Sequence, residues 1–161
     1  MMDALRVELF DLPDLTQFVR VLVRLTAAVI LGGLLGYERE REGKAAGFRT
    51  HMLVALGAAV FTVGPLEAGM TAGDLSRVFQ GIVTGIGFIG AGTILKRADE
   101  REIQGLTTAA NLWFTAAVGM AVGLGHLWLP TLGVVFALII LTVLGVAERG
   151  IRRGRDLADD K

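Results

Sequence analysis

A few ionisable residues and two polar stripes interrupt the apolar runs of this chain, and any chemistry has to reside in them. Arg24 precedes Glu38 by fourteen residues on what reads as one helix, a separation of about 21 Å at 1.5 Å per residue. That places Arg24 near the edge of a hydrocarbon layer, where it must pair or extend to the headgroups, and Asp74 is its expected partner. Glu38 and Arg49 stand at the facing ends of the first two apolar runs, so an ion pair closing that hairpin is expected. With Arg39 and Lys44 they form a dense charged constellation, either a docking or ion-sensing surface or a solvated loop that fixes topology. His51, beside Thr50, can titrate near neutrality or ligate a metal. Its structural alternative is a hydrogen bond at a helix end. Thr107, Asn111 and Thr115 recur every four residues and stripe one helix face. Such side chains bond across helices in lipid, with a permeation lining as the sharper alternative. Gln80 and Thr84 make a similar stripe, preceded by Asp74 and Arg77.

Several chemistries are excluded. No Ser/His/Asp arrangement has usable spacing and no phosphate-binding loop is present, so an enzyme is not expected. The chain has no Cys, which removes disulfides and thiolate metal sites. Magnesium prefers oxygen ligands and keeps several waters. Glu38 and Asp74 are the natural candidates, but they are expected at opposite faces of the membrane. No cofactor is expected, and Mg²⁺ stays an alternative without a visible ligand cluster.

The elements that hold these residues are apolar. The run Gly81-Ile-Val-Thr-Gly-Ile-Gly-Phe-Ile-Gly-Ala-Gly-Thr-Ile-Leu95 carries repeated glycines. In water each interior glycine weakens a helix by about 1 kcal/mol relative to alanine. In a bilayer small residues let helices approach closely. Gly32, Gly36, Gly81, Gly85, Gly87, Gly90 and Gly92 are therefore expected at helix contacts. Hydrophobic residues make up 53% of the 161, and the mean hydropathy is +0.59. The expectation is all-α: one polytopic membrane domain of about five transmembrane helices. Their predicted bounds are 15–35, with Asp14 as N-cap and Gln17 completing a capping box, then 50–65, 78–95, 106–123 and 127–146. Residues 1–14 form an N-terminal extracytoplasmic segment too acidic for a cleavable signal; the five-helix domain covers 15–146; residues 147–161 form a basic cytoplasmic tail. The partners are the lipid bilayer and a second copy of the chain or other membrane proteins; nucleic acid is not expected.

Basic residues orient the bundle. Arg39, Arg41, Lys44 and Arg49 lie between the first two runs; Lys96, Arg97 and Arg101 lie between the third and fourth; Arg149, Arg152, Arg153, Arg155 and Lys161 occupy the tail. The N-terminus is therefore expected outside and the C-terminus in the cytoplasm, although Arg6, Arg20 and Arg24 run against the trend. A shift of 58 residues places Gly32 on Gly90, Arg39 on Arg97, Gly47 on Gly105 and Thr50 on Thr108. It predicts a two-hairpin internal repeat about an axis along the membrane normal, with chance similarity between small-residue-rich helices as the alternative.

Three ordered blocks, Glu38 to His51, Gly81 to Leu95, and Gly105-Leu-Thr-Thr-Ala-Ala-Asn-Leu-Trp113, resemble the signature segments of the MgtC/SapB family of bacterial inner-membrane proteins. Arg24 and the Asp74-x-x-Arg77 pair also fall where that family carries such residues. The resemblance implies a multi-pass protein of the bacterial inner membrane linked to magnesium limitation, stress and acid tolerance, and virulence. It implies a modulator of membrane partners or membrane energetics, the ATP synthase among them, with a small Mg²⁺ transporter or channel as the alternative. Longer members add a C-terminal ACT-like domain, and the chain reads as a short form without it.

Overall fold

The structure, a computed structural model, describes residues 14–94 and 104–145. The N-terminal segment, the basic tail and the Lys96, Arg97 and Arg101 cluster lie outside the described residues. Five helices follow in order: α1 (Leu15–Arg41), α2 (Phe48–Glu67), α3 (Ala72–Ala91), α4 (Leu106–Gly123) and α5 (Trp128–Ile139). A π-helical turn, Ile140–Leu144, continues α5.

Local chemistry sets the ends. α1 runs six residues beyond its expected end at Leu35, since the charged Glu38 to Arg41 stretch is made of good helix formers, and it stops before Gly43, whose φ of +65° suits glycine. Asp14 holds the N-cap position without a side-chain cap bond. Gln17 does not complete a capping box; its amide instead donates to the Glu67 carboxylate. α3 starts six residues before the expected Val78, because Thr71 accepts from the Asp74 N–H at 3.3 Å and donates to its carboxylate at 2.7 Å. It ends at Ala91, and Gly92 and Thr93 form a turn. α4 keeps its expected bounds, entered through Gly105 at φ +92°.

α1, α2 and α4 are long and apolar enough to cross a membrane. α3 carries Asp74, Arg77 and Gln80 on its first turns, and the apolar stretch Trp128–Leu144 is shorter. Phe61, Phe88 and Phe136 stand exposed on α2, α3 and α5, an arrangement that hydrocarbon solvates and water does not.

α2 is the centre of the bundle, clamped between two ridges spaced by four. On one side a Cβ built on Gly32 would lie 2.7 Å from the His51 carbonyl oxygen and 2.8 Å from Ala55 Cβ; at Gly36 it would lie 2.7 Å from Phe48 Cα. On the other side a Cβ built on Gly123 would lie 2.7 Å from Thr62 Cβ, and one built on Gly119 would lie 2.9 Å from Ala58 Cβ, so neither position has room for a side chain. Ala55, Ala58, Ala59 and Thr62 fill the space between, all buried. Close approach of this kind replaces the hydrophobic effect as the source of cohesion in lipid. The contacts also show that α2 and α4 run parallel, with α1 antiparallel to both.

The glycines of α3 behave differently from the expectation. A Cβ built on Gly90 would lie in ordinary contact with Ala109, 3.5 Å from its Cβ, but Gly81, Gly85 and Gly87 have nothing within 4 Å of a built Cβ, and Gly92 meets only the carbonyls of its own last turn. α3 leans on α4 near Gly90 and diverges from α2, so Gly81 and Gly85 face an open groove.

Candidate functional site

Polar side chains collect inside the bundle toward the end where α1 finishes and α2 and α4 begin. Glu38 and Arg39 are both buried there. Arg39 Nη2 donates to Glu38 Oε1 at 2.6 Å and Nε donates to Oε2, a two-pronged pair that occupies both carboxylate oxygens. The expected Glu38–Arg49 pair is not formed. α1 is still helical at Glu38 and turns it inward beside Arg39, whereas Arg49, in the first turn of α2, is exposed. The hairpin is closed by Glu40 instead, whose carboxylate accepts the Phe48 N–H at 2.8 Å.

One turn into α2, His51 is completely buried. Its Nδ1 lies 2.9 Å from the Gly47 carbonyl oxygen. A carbonyl only accepts, so Nδ1 is the donor and the neutral ring offers Nε2 as acceptor. The amide Nδ2 of Asn111 donates to that Nε2 at 3.1 Å. This bond joins α2 to α4 directly behind the Gly32 contact. Thr115 Oγ1 donates to the Asn111 carbonyl at 2.7 Å, and Thr62 Oγ1 to the Ala58 carbonyl at 2.8 Å. The buried stripe of α4 is Thr108, Asn111 and Thr115; Thr107 is exposed. A four-residue spacing drifts around a helix of 3.6 residues per turn, and Thr108 lies nearer the inward face. Thr50 is exposed as well.

At the other end Arg24 is half-buried, and its Nη1 donates to the Gly123 carbonyl at 3.0 Å, capping the end of α4. Its guanidinium underlies Gly125, whose φ is +92°. The expected Arg24–Asp74 pair is absent because Asp74 is engaged by Thr71 at the start of α3. Arg77, Gln80 and Thr84 are exposed, and Thr84 bonds back to the Gln80 carbonyl at 2.8 Å. Among the described residues no group of three or more His, Cys, Asp or Glu side chains is placed to hold a metal ion.

The sequence model of the MgtC family matches residues 25–150. The chain belongs to the MgtC family. It is 41% identical over 133 residues to Protein SrpB of Synechococcus elongatus, covering 74% of this chain and 71% of that protein. It is 43% identical over 129 residues to the "Putative magnesium transporter YhiD" of Escherichia coli K12, covering 76% and 59%. It is 43% identical over 122 residues to Protein MgtC of Brucella abortus, covering 74% and 49%. The chain thus spans between about half and seven-tenths of these relatives' lengths. No solved structure matches it.

Within this MgtC family chain, reading by spacing named Glu38 but not Arg39 as its partner, and it passed over Thr108. Arg39 is one of six basic residues between Arg39 and Lys96 and carries no mark of burial. Glu38, Glu40 and Glu42 alternate with arginine, so composition did not say which carboxylate turns inward. Thr108 was obscured by its neighbour Thr107. The one available signal was the position of Thr108 three residues before Asn111, the other half of the helical repeat.

Proposed function

We propose that this chain modulates other membrane machinery, or the energetics of the membrane itself, under magnesium limitation and related stress, and does not itself conduct ions. The observation that carries this reading is that its buried ligand-type groups are already committed to partners within the bundle. Both oxygens of Glu38 are taken by Arg39, and both ring nitrogens of His51 are taken by Gly47 and Asn111. A pore or ion site needs such groups turned to the ion and exchangeable with its water. Partners in the bacterial inner membrane, the ATP synthase among them, and self-association belong to this reading by family resemblance. Flux of Mg²⁺, Na⁺, K⁺ and H⁺ through proteoliposomes holding only this protein tests it: the expected result is the leak of empty liposomes, while saturable Mg²⁺ flux overturns it. The transporter reading is favoured by one finding, the name borne by the Escherichia coli relative YhiD.

We place the Glu38 end of the bundle in the cytoplasm on the distribution of Lys and Arg. An internal repeat is supported by two correspondences under the 58-residue shift. Gly32 lies on the His51 backbone and Gly90 on Ala109; Gly47 and Gly105 each immediately precede the first residue of a helix, Phe48 of α2 and Leu106 of α4.

A further inference from the structure

The divergence of α3 from α2 leaves an open groove of about 1080 Å³ along the side of the bundle. Its floor is Ala116 of α4, and its length follows α2 from Arg49 to Phe61. Gly57, Gly81 and Gly85 line it with no atom within 4 Å of a built Cβ, so its depth comes from missing side chains. The lining is apolar apart from its Arg49 end. We propose that this groove is a binding site for an anionic phospholipid, with the phosphate on Arg49 and an acyl chain laid over Gly57, Gly81 and Gly85.

Three observations select that occupant. The first is charge: Glu38 is occupied by Arg39 and Glu40 by the Phe48 N–H, and Arg49 makes no ion pair among the described residues, so the cation at the mouth of the groove is available to an anion. The second is length. Twelve residues separate Arg49 from Phe61, about 18 Å of helix, close to the roughly 15 Å of hydrocarbon in a single leaflet of a 30 Å core. A lipid whose headgroup sits at Arg49 therefore ends its chain near Phe61. The third is chemistry: Arg49 lies in the first turn of α2, where the helix dipole also favours negative charge, and beyond Arg49 and Thr50 the groove is lined by apolar residues and glycine alone. A second copy of the chain docked here by a two-fold axis would bring Arg49 near the same groove mouth of its partner, like charge toward like charge. The proposal needs only that the chain spans the membrane and is independent of the modulator reading.

Native mass spectrometry of the protein released from nanodiscs of equal phosphatidylglycerol and phosphatidylcholine measures the proposal. The expected result is retained phosphatidylglycerol in preference to phosphatidylcholine. Arg49→Gln, an exposed change, should lower that preference about fivefold, the effect of one cation near a membrane surface. Gly57→Leu and Gly85→Leu should displace the lipid while Gly64→Leu, on α2 outside the groove and equally unobstructed, should not. An Arg49→Gln protein that keeps the wild-type preference overturns the proposal. So does a mass of two chains, lost on Gly57→Leu or Gly85→Leu, because the groove would then hold a second copy. If the glycine variants fail to fold, the Arg49→Gln result alone decides. Ion flux plays no part in this measurement, so its failure and that of the modulator reading are separable.

Discussion

Asn111 Nδ2 donates to His51 Nε2 at 3.1 Å across sixty residues of sequence, joining α4 to α2 where both are fully enclosed. The geometry demands a particular tautomer of His51, held by Gly47, and so makes the two helix starts one unit. The expected outcome of a double-mutant cycle with His51→Ala and Asn111→Ala is a coupling of about 0.6 to 1.7 kcal/mol, the range for hydrogen bonds between helices in membranes. Thermal or denaturant unfolding in detergent measures it; strictly additive losses would show that the two side chains act separately.

The number of helices, their order and the bounds of α4 were legible in the sequence because apolar run length and charged interruptions decide them. The partners of the polar residues were not. Whether Glu38 faces Arg39 or Arg49 depends on where α1 stops, and α1 continues through a charged stretch that reads as a loop. Likewise a glycine-rich run announces close packing without saying where it occurs. Gly32, Gly36, Gly119 and Gly123 clamp α2, while Gly81, Gly85 and Gly87 face open space, and only the divergence of α3 from α2 separates the two cases. His51 has a helix-end bond, the structural alternative read from its position, and its second bond to Asn111 depends on α2 and α4 running parallel, which no local pattern encodes.

The clamp on α2 predicts a contrast between glycines of similar sequence context. Gly119→Leu must push Ala55 and Ala58 apart from α4, and overpacking of this kind destabilises by about 1 to 3 kcal/mol or more. Gly87→Leu meets nothing within 4 Å, so its effect should stay within about 0.5 kcal/mol. Melting temperatures of the two purified variants give the comparison, and equal losses would remove the distinction between the two sets of glycines.

The buried Glu38–Arg39 pair predicts that Glu38→Gln destabilises strongly, by about 3 to 5 kcal/mol, because Arg39 is left charged and enclosed. Replacing both residues by neutral ones of similar size, Glu38→Gln with Arg39→Met, should recover much of the loss. Glu38→Gln and Arg49→Gln, in contrast, should add independently within about 0.5 kcal/mol, since Arg49 does not touch Glu38. Unfolding measurements on the four variants separate the two pairings.

Arg24 is expected to act on α4. Removing its bond to the Gly123 carbonyl by Arg24→Gln exposes the last turn of α4, and Asp74→Asn, which weakens the Thr71 cap of α3, should add to it without coupling. Gly125→Ala should be damaging for two reasons that reinforce each other: φ is +92°, and a Cβ there would lie 2.7 Å from Arg24 Nη2. Arg24→Ala should therefore relieve part of the Gly125→Ala loss, leaving the backbone strain. A double variant no better than Gly125→Ala alone would place the whole effect in the backbone.

The proposed orientation is tested on a chain that offers a clean background, having no cysteine of its own. Lys44, in the exposed connection between α1 and α2, and Asp74, exposed at the start of α3, lie at opposite ends of the bundle. If the Glu38 end is cytoplasmic, an impermeant maleimide applied to intact cells should label Asp74→Cys and spare Lys44→Cys until the membrane is opened. Lys44 is the more informative position, because only its backbone N–H is engaged, on the Arg39 carbonyl, and a side-chain replacement that keeps that N–H should leave the bundle undisturbed. Labelling of Lys44→Cys in intact cells would invert the orientation, place the Arg49 mouth of the groove in the outer leaflet, and require the excess of Lys and Arg at that end to be explained by something other than retention in the cytoplasm.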